Sequence, residues 1–295
     1  MKIALGTAQF GLDYGVSNSA GQVKIEEVRE ILKVAESYQI DTLDTAITYG
    51  NSESILGSVG VDSFKVITKL PPFPDNLNST SAWINDQVQS SLKKTKLNTL
   101  FGLLLHKSTD LHTPQGFEVL SILSGLKNKG IVNKIGVSIY SPDELDALGD
   151  YVNRLDIVQA PFNLFDRRLE SSGWLEKLNL LGVEVHARSV FLQGLLLLRK
   201  EQRNPFFRQW NSHFKIFDDW IIDLGQTPLD VCLKFINSYE HINKVIVGVQ
   251  SRDQLFEIIS AVENNDSFQA QKGLEVDDEM LINPSNWNLG GTDGH

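Results

Sequence analysis

The chain has 295 residues, 41% hydrophobic and 22% charged, an ordinary globular composition at a length that α/β barrels reach as one domain. A formal net charge of -10 argues against a nucleic-acid binder, whose phosphate contacts need a basic surface, but leaves room for an anionic small ligand held by a few donors. The lone cysteine, Cys232, allows no internal disulfide and suits a reducing cytoplasm. No apolar run approaches the roughly 20 residues that span a bilayer, and the first residues lack the core of a signal peptide.

Lys2–Gly6 is a short apolar strand followed by a glycine-rich turn, GTAQFG. Ile25–Gln39 carries Val28, Ile31, Leu32 and Ala35 at helical spacing. Ile40–Thr45 returns to strand character, Ser52–Gly60 makes a short helix, and Phe64–Lys69 is the third strand. A proline-stiffened loop, PPFPDN, precedes a helix over Trp83–Lys96 and a strand over Thr99–His106. Pro114–Lys129 reads as a helix with its proline in the first turn, and Val132–Ser138 as a strand. Ser141-Pro142-Asp143-Glu144 is a capped helix start leading to Tyr151. Leu155–Ala160 is a strand, Glu170–Leu181 a helix and Val183–Ser189 a strand. Helical stretches over Phe206–Leu224 and Pro228–Ser238 lead to the last strand, Lys244–Gly248, and the last helix, Ser251–Val262; the tail from Gly273 is polar and ends glycine-rich.

Eight strand candidates alternate with helices and none joins its neighbour through a hairpin turn, which is the pattern of parallel βαβ units. Eight units within roughly 270 residues predict a (β/α)8 TIM barrel, one domain over residues 1–295, with the barrel core at about 2–265 and a tail at 273–295. A doubly wound sheet would be expected to show G-x-G-x-x-G after its first strand, and the chain has neither that nor a Walker loop.

In such a barrel the C-terminal strand ends converge. They deliver Asp44, Lys69, His106, Ser138, Gln159, Arg188 with Ser189, and Gly248, and Tyr49 follows Asp44 in the loop of LDTAITYGN. Singly, His106 reads as a rim histidine and Lys69 as a snorkelling surface lysine; together at one mouth they read as a site. No nucleophile with an evident base is present, and Asp44 with His106 is too few ligands for a metal. A free phenol, with a pKa of about 10, is a slow acid at neutral pH. A Lys69 cation nearby would lower that pKa, Asp44 would hold the lysine charged, and His106 could donate to an oxygen gaining negative charge. That set would protonate a carbonyl oxygen while a cofactor supplies hydride to its carbon.

These residues resemble the aldo-keto reductase family over nearly the whole chain. Its Asp-Tyr-Lys-His tetrad maps onto Asp44, Tyr49, Lys69 and His106. GTAQFG, with Thr7, resembles the family's opening strand and turn, GVS at 136–138 its fifth strand, QAPFNL at 159–164 its sixth, RSVFLQGLL at 188–196 its seventh, and VIVGVQSRDQL at 245–255 the segment around the adenosine phosphate. The resemblance implies a barrel that binds NADPH, less often NADH, and transfers hydride to an aldehyde or ketone, with Tyr49 as general acid. Ser138 and Gln159 would then hold the nicotinamide carboxamide. Ser189, Phe191 and Gly194 would line the pyrophosphate path, with Gly248, Gln250, Arg252 and Gln254 near the adenosine and Thr7 also on the cofactor side.

The chain departs from the pattern at three places. Ile139 stands where much of the family has Asn, Arg188 where an aromatic ring often stacks on the nicotinamide, and Arg252 is the only cation of the phosphate-facing loop. The N-terminal plug hairpin of many members is absent. The RSVFLQGLLL run and the NPSNW tail resemble a bacterial branch found with surface-polysaccharide pathways, which implies a sugar-derived carbonyl. Gln9, Phe10, Tyr14, Phe73, Lys107, Phe162 and Trp287 are the expected substrate walls, with Lys107 and Arg188 suited to an acidic or phosphorylated sugar. The alternative is a cofactor-binding sensor with little turnover; an isomerase or hydrolase leaves Tyr49 and Lys69 without roles. No metal is expected, and nothing in the residues fixes oligomeric state.

Overall fold

Each apolar run read as a strand forms one, and each pairs in parallel with its sequence neighbours until the last meets the first. The strands are β1 (Ile3–Gly6), β2 (Thr42–Asp44), β3 (Lys65–Leu70), β4 (Leu100–Leu105), β5 (Val132–Ser138), β6 (Ile157–Pro161), β7 (Glu184–Arg188) and β8 (Lys244–Gly248). They close into a barrel in the order β1 to β8. The computed structural model describes residues 2–18, 20–74, 76–113, 115–263 and 268–289. Helices connect the strands and cover the outside, so the outward apolar side chains of the strands form one continuous core with the inward faces of the helices.

Inside the barrel a second, smaller cluster of Ile67, Leu104 and Ile157 plugs the lumen, with Phe101 packed against it. Strand side chains alternate faces with a period of two. The residues two positions beyond each plug residue, Lys69, His106 and Gln159, therefore rise on the same side, one layer above it. The apolar plug thus forms the base of a polar site. Below the plug, at the N-terminal ends of the strands, Lys65 and Lys134 hold their ammonium groups 5.5 Å and 5.1 Å from the Phe101 ring centre. Lys134 pairs with Glu184, while Lys65 and Lys244 share Asp41 at 2.6 Å and 2.7 Å. This ring of charge closes the floor of the barrel.

The connections differ from the sequence expectation in four places. GTAQFG contains a helical turn, Ala8–Gly11. The helix expected over Glu170–Leu181 is two, Arg168–Ser171 and Trp174–Leu180, because Gly173 takes φ 78° between them. Helix Asn211–Leu224 is preceded by a 3-10 stretch over Pro205–Trp210, which leaves the long Phe206–Leu224 reading in two parts. The helix expected to lead from Ser141 to Tyr151 ends at Leu148 and passes into a 3-10 stretch over Gly149–Arg154, while its start is capped by Glu144, whose carboxylate accepts from the Tyr140 and Ser141 amides at 2.6 Å and 3.0 Å. Pro114 and the glycine-rich end lie outside the described residues.

Candidate active site

Asp44 closes β2 and Lys69 lies near the end of β3, its neighbour in the barrel. Lys69 Nζ donates to Asp44 Oδ2 at 2.7 Å and to the Thr45 carbonyl at 2.9 Å. The other Asp44 oxygen accepts from Gln159 Nε2 at 2.7 Å. The ammonium stands 5.2 Å from the centre of the Tyr49 ring, and the Tyr49 and His106 rings meet edge to face at 5.9 Å. Two glycines set this loop. A Cβ on Gly11 would lie 1.9 Å from the Tyr49 carbonyl oxygen, and Gly50, at φ 54°, would bring one within 2.3 Å of the Gly11 oxygen. The backbone after β1 and the loop after β2 can pass this closely only without side chains, and that passage places Tyr49 over the barrel mouth.

The electrostatics differ from the expectation for Tyr49. Its phenol is pushed up, chiefly by burial and further by the Asp44 charge, with Arg188 opposing. Desolvation outweighs the cation, so the resting phenol stays firmly protonated. Lys69 is lowered by burial, against the pull of Asp44. His106 is lowered to about 3 by burial and by the positive charges of Lys69, Arg188 and Lys107, so its imidazole is neutral at physiological pH. His106 Nδ1 lies 3.2 Å from the Thr48 hydroxyl. When that hydroxyl is the donor, Nε2 carries the ring proton and is free to donate.

Tyr49 and His106 open into a cavity of about 690 Å³ that runs across the ends of β1, β8 and β7. Asp44, Ser138, Gln159, Arg188, Ser189, Phe191, Gly194, Gly248, Gln250 and Gln254 line it, as do Gln9 and Tyr14. Gly6 and Gly248 are paired across β1 and β8, and a Cβ on Gly248 would come within 2.6 Å of the Gln9 amide. The groove floor there is glycine backbone with the Gln9 amide lying against Gly248. Beyond β7 the chain is strained: Ser189, Leu192 and Gln193 take positive φ of 56°, 49° and 53°. Gln193 ties this loop to the one after β1, donating through Nε2 to the Tyr14 hydroxyl at 3.0 Å and accepting from the Val16 amide at 3.2 Å. Burial pushes the Tyr14 phenol up to about 12.

Several expected contacts lie elsewhere. Phe10 and Phe162 are fully buried core residues, Phe162 packing on Phe235 at 5.5 Å and Tyr239 at 4.8 Å, so neither forms a substrate wall. Phe73 stacks on Trp83 at 4.9 Å and Trp287 on Phe207 at 4.8 Å, and both are spent on packing away from the cavity. Thr7 is buried and structural, donating to the Asp44 carbonyl at 3.1 Å and accepting from Ser52 Oγ at 2.8 Å. Lys107 is exposed outside the lining, and Arg252 also lies outside it. Conversely, Thr48, Tyr140, Gln193 and Glu257 line the cavity without having been singled out. Tyr140 follows Ser138 by two residues at the same strand end, a period-two signal. Arg188 stacks on it, 4.5 Å from the ring centre, and donates to the Ile139 carbonyl at 2.9 Å.

A family model described as the aldo/keto reductase family matches residues 2–272. The chain belongs to that family. Among curated proteins, the oxidoreductase sirO of Leptosphaeria maculans is 26% identical over 298 residues, covering 88% of each chain. The L-glyceraldehyde 3-phosphate reductase of Escherichia coli strain K12 is 24% identical over 308 residues, covering 91% of this chain and 88% of that protein. In the same fold, the holo form of an aldo-keto reductase from Bacillus halodurans superposes with a TM-score of 0.73 at 20% identity, covering 90% of this chain and 88% of that one. As an aldo/keto reductase the protein is an oxidoreductase that acts on small carbonyl substrates with a nicotinamide cofactor. Among the described residues no helix is long and apolar enough to cross a membrane, and no group of three or more acidic, His or Cys side chains could hold a metal.

Proposed function

We propose that the protein is a carbonyl reductase in which Tyr49 protonates the substrate oxygen, and that its substrate is a hydroxylated, sugar-derived aldehyde. One observation carries the catalytic part: a sealed Lys69 ammonium held by Asp44 on one side and facing the Tyr49 ring on the other. When bound, the nicotinamide supplies a hydride to the carbonyl carbon. Tyr49, kept neutral by burial, gives its proton to the oxygen as negative charge develops there. His106, neutral for the reasons above, donates to the same oxygen without competing for the proton. The phenolate left behind faces the Lys69 charge, which lowers the cost of forming it. Ser138 and Gln159 are in the lining where a carboxamide would need partners, and the Gly6–Gly248 groove fits the long body of a dinucleotide.

The substrate part is supported by the polar wall near the tetrad, where Gln9, Tyr14, Tyr140 and Gln193 offer donors and acceptors, and by the relative that reduces glyceraldehyde 3-phosphate. Arg188, the one cation in the lining among the described residues, suits the phosphorylated or acidic form. The test is nicotinamide oxidation with 4-nitrobenzaldehyde and a panel of aldoses, with Tyr49→Phe as control. Undiminished turnover by that variant would remove Tyr49 from the reaction. Tight cofactor binding with no turnover on any carbonyl would favour the sensor alternative.

A further inference from the structure

The reading of Tyr49 and His106 as the carbonyl-binding end fixes how a nicotinamide dinucleotide must run. Its redox ring belongs beside them, and its adenosine half has only the opposite end of the cavity, walled by Gln202, Thr227, Gln250, Gln254, Glu257 and Ile258. NADH and NADPH differ at that end by a single group, a 2′-phosphate monoester carrying nearly two negative charges at neutral pH. Such a group is held by guanidinium forks and ammonium groups.

This end offers neither. Among the described lining residues Arg188 is the sole Arg or Lys, and it stands at the other end, against Tyr140 and the Ile139 carbonyl. The ionisable group at the adenosine end is a carboxylate, Glu257. The cations beside these walls in sequence, Lys200 and Arg203 flanking Gln202 and Arg252 between Gln250 and Gln254, are outside the lining. Arg203 is paired with Asp218, and Arg252 is surrounded by acids. Its amide donates to Glu27 at 2.7 Å, and its guanidinium lies 3.8 Å from Glu30 and 3.7 Å from Asp253. Gln250 brings an uncharged amide side chain, and its backbone N–H is already taken by Gln254 Oε1 at 2.8 Å. A carboxylate among amides accepts from a hydroxyl and repels a phosphate.

We propose that the protein binds NADH in preference to NADPH, with Glu257, Gln250 and Gln254 selecting an unphosphorylated ribose. This rests on the nicotinamide reading of the cavity and reverses the NADPH preference implied by the sequence resemblance.

The experiment is an equilibrium titration of the full chain with NADH and with NADPH, read by nicotinamide fluorescence at two salt concentrations, without substrate. NADH should bind tighter on the order of tenfold, and the gap should widen at low salt, where Glu257 is less screened. Gln250→Arg and Glu257→Gln, in variants that unfold at the wild-type temperature, should each narrow the gap by strengthening NADPH binding. Arg252→Ala should leave the NADH-to-NADPH ratio unchanged. Equal or tighter NADPH binding by the wild type, or its collapse in Arg252→Ala, would overturn the preference while leaving the nicotinamide reading intact. Binding of neither cofactor would overturn both.

Discussion

Lys69 and Asp44 form an ion pair at 2.7 Å with only 1% and 4% of their side chains exposed. Two charges are kept in a low-dielectric site, each tolerable only because of the other. Removing one should cost more than removing both. Asp44→Asn and Lys69→Met should each destabilise the fold by about 3–5 kcal/mol, and the double variant should recover much of that loss in urea unfolding. It should not recover turnover. Additive single and double losses would mean that the pair is uncoupled.

Tyr49→Phe keeps the ring that packs edge to face on His106 and removes only the proton donor. Turnover should fall on the order of 10²–10⁴-fold while dinucleotide affinity and unfolding midpoint stay at wild-type values. Steady-state kinetics alongside fluorescence titration separates these quantities.

His106 makes stability depend on pH. Its folded-state pKa of about 3 lies below the ordinary 6.5, held there by burial and by Lys69, Arg188 and Lys107. Between those pH values the unfolded chain binds a proton that the folded chain refuses. The contribution is therefore whole above 6.5 and is lost as pH falls toward 3. From about pH 7 to 4.5, wild type should lose about 1–2 kcal/mol more than His106→Asn, after discounting for partial exposure. Equal losses in urea titrations at the two pH values would exclude the effect.

Gly11 contributes no side chain to the cavity, yet the loop bearing Tyr49 rests on it. Gly11→Ala would drive a methyl group into the Tyr49 carbonyl oxygen, 1.9 Å away, and the loop must shift. A cost of about 1–3 kcal/mol is expected. Turnover should fall more than cofactor affinity, since the displaced group is the acid and not the groove. Wild-type kinetics in this variant would show that the loop tolerates the shift.

Arg188 places a guanidinium beside the tetrad. Arg188→Leu should raise KM for a phosphorylated aldose by roughly tenfold relative to its neutral counterpart. If the two substrates respond alike, Arg188 acts through Tyr140 packing and not through substrate charge.

Much of this molecule is written in local pattern. Eight apolar runs bounded by turns and separated by helical periods suffice for a parallel barrel, because strands buried on both faces have few other stable arrangements. The polar residue ending each run marked Asp44, Lys69, His106, Ser138 and Gln159, since a period of two lifts them onto the same side as the plug residues Ile67, Leu104 and Ile157. What the local pattern lacked was direction in the loops and the balance of burial against charge. Phe10 and Phe162 look like pocket walls by position, but the helical turn after β1 and the segment after β6 turn them into the core, where large aromatic surface is worth most. Tyr49 looked acidified by Lys69, but in the folded site burial and the Asp44 charge raise its phenol, and the cation opposing them is Arg188. Arg252 looked like a phosphate anchor until the helix over Ile25–Ser37 brought Glu27 and Glu30 against it. Sequence order determined which groups reach the barrel mouth; long-range packing decided which are desolvated, which are neutralised and which face the cavity.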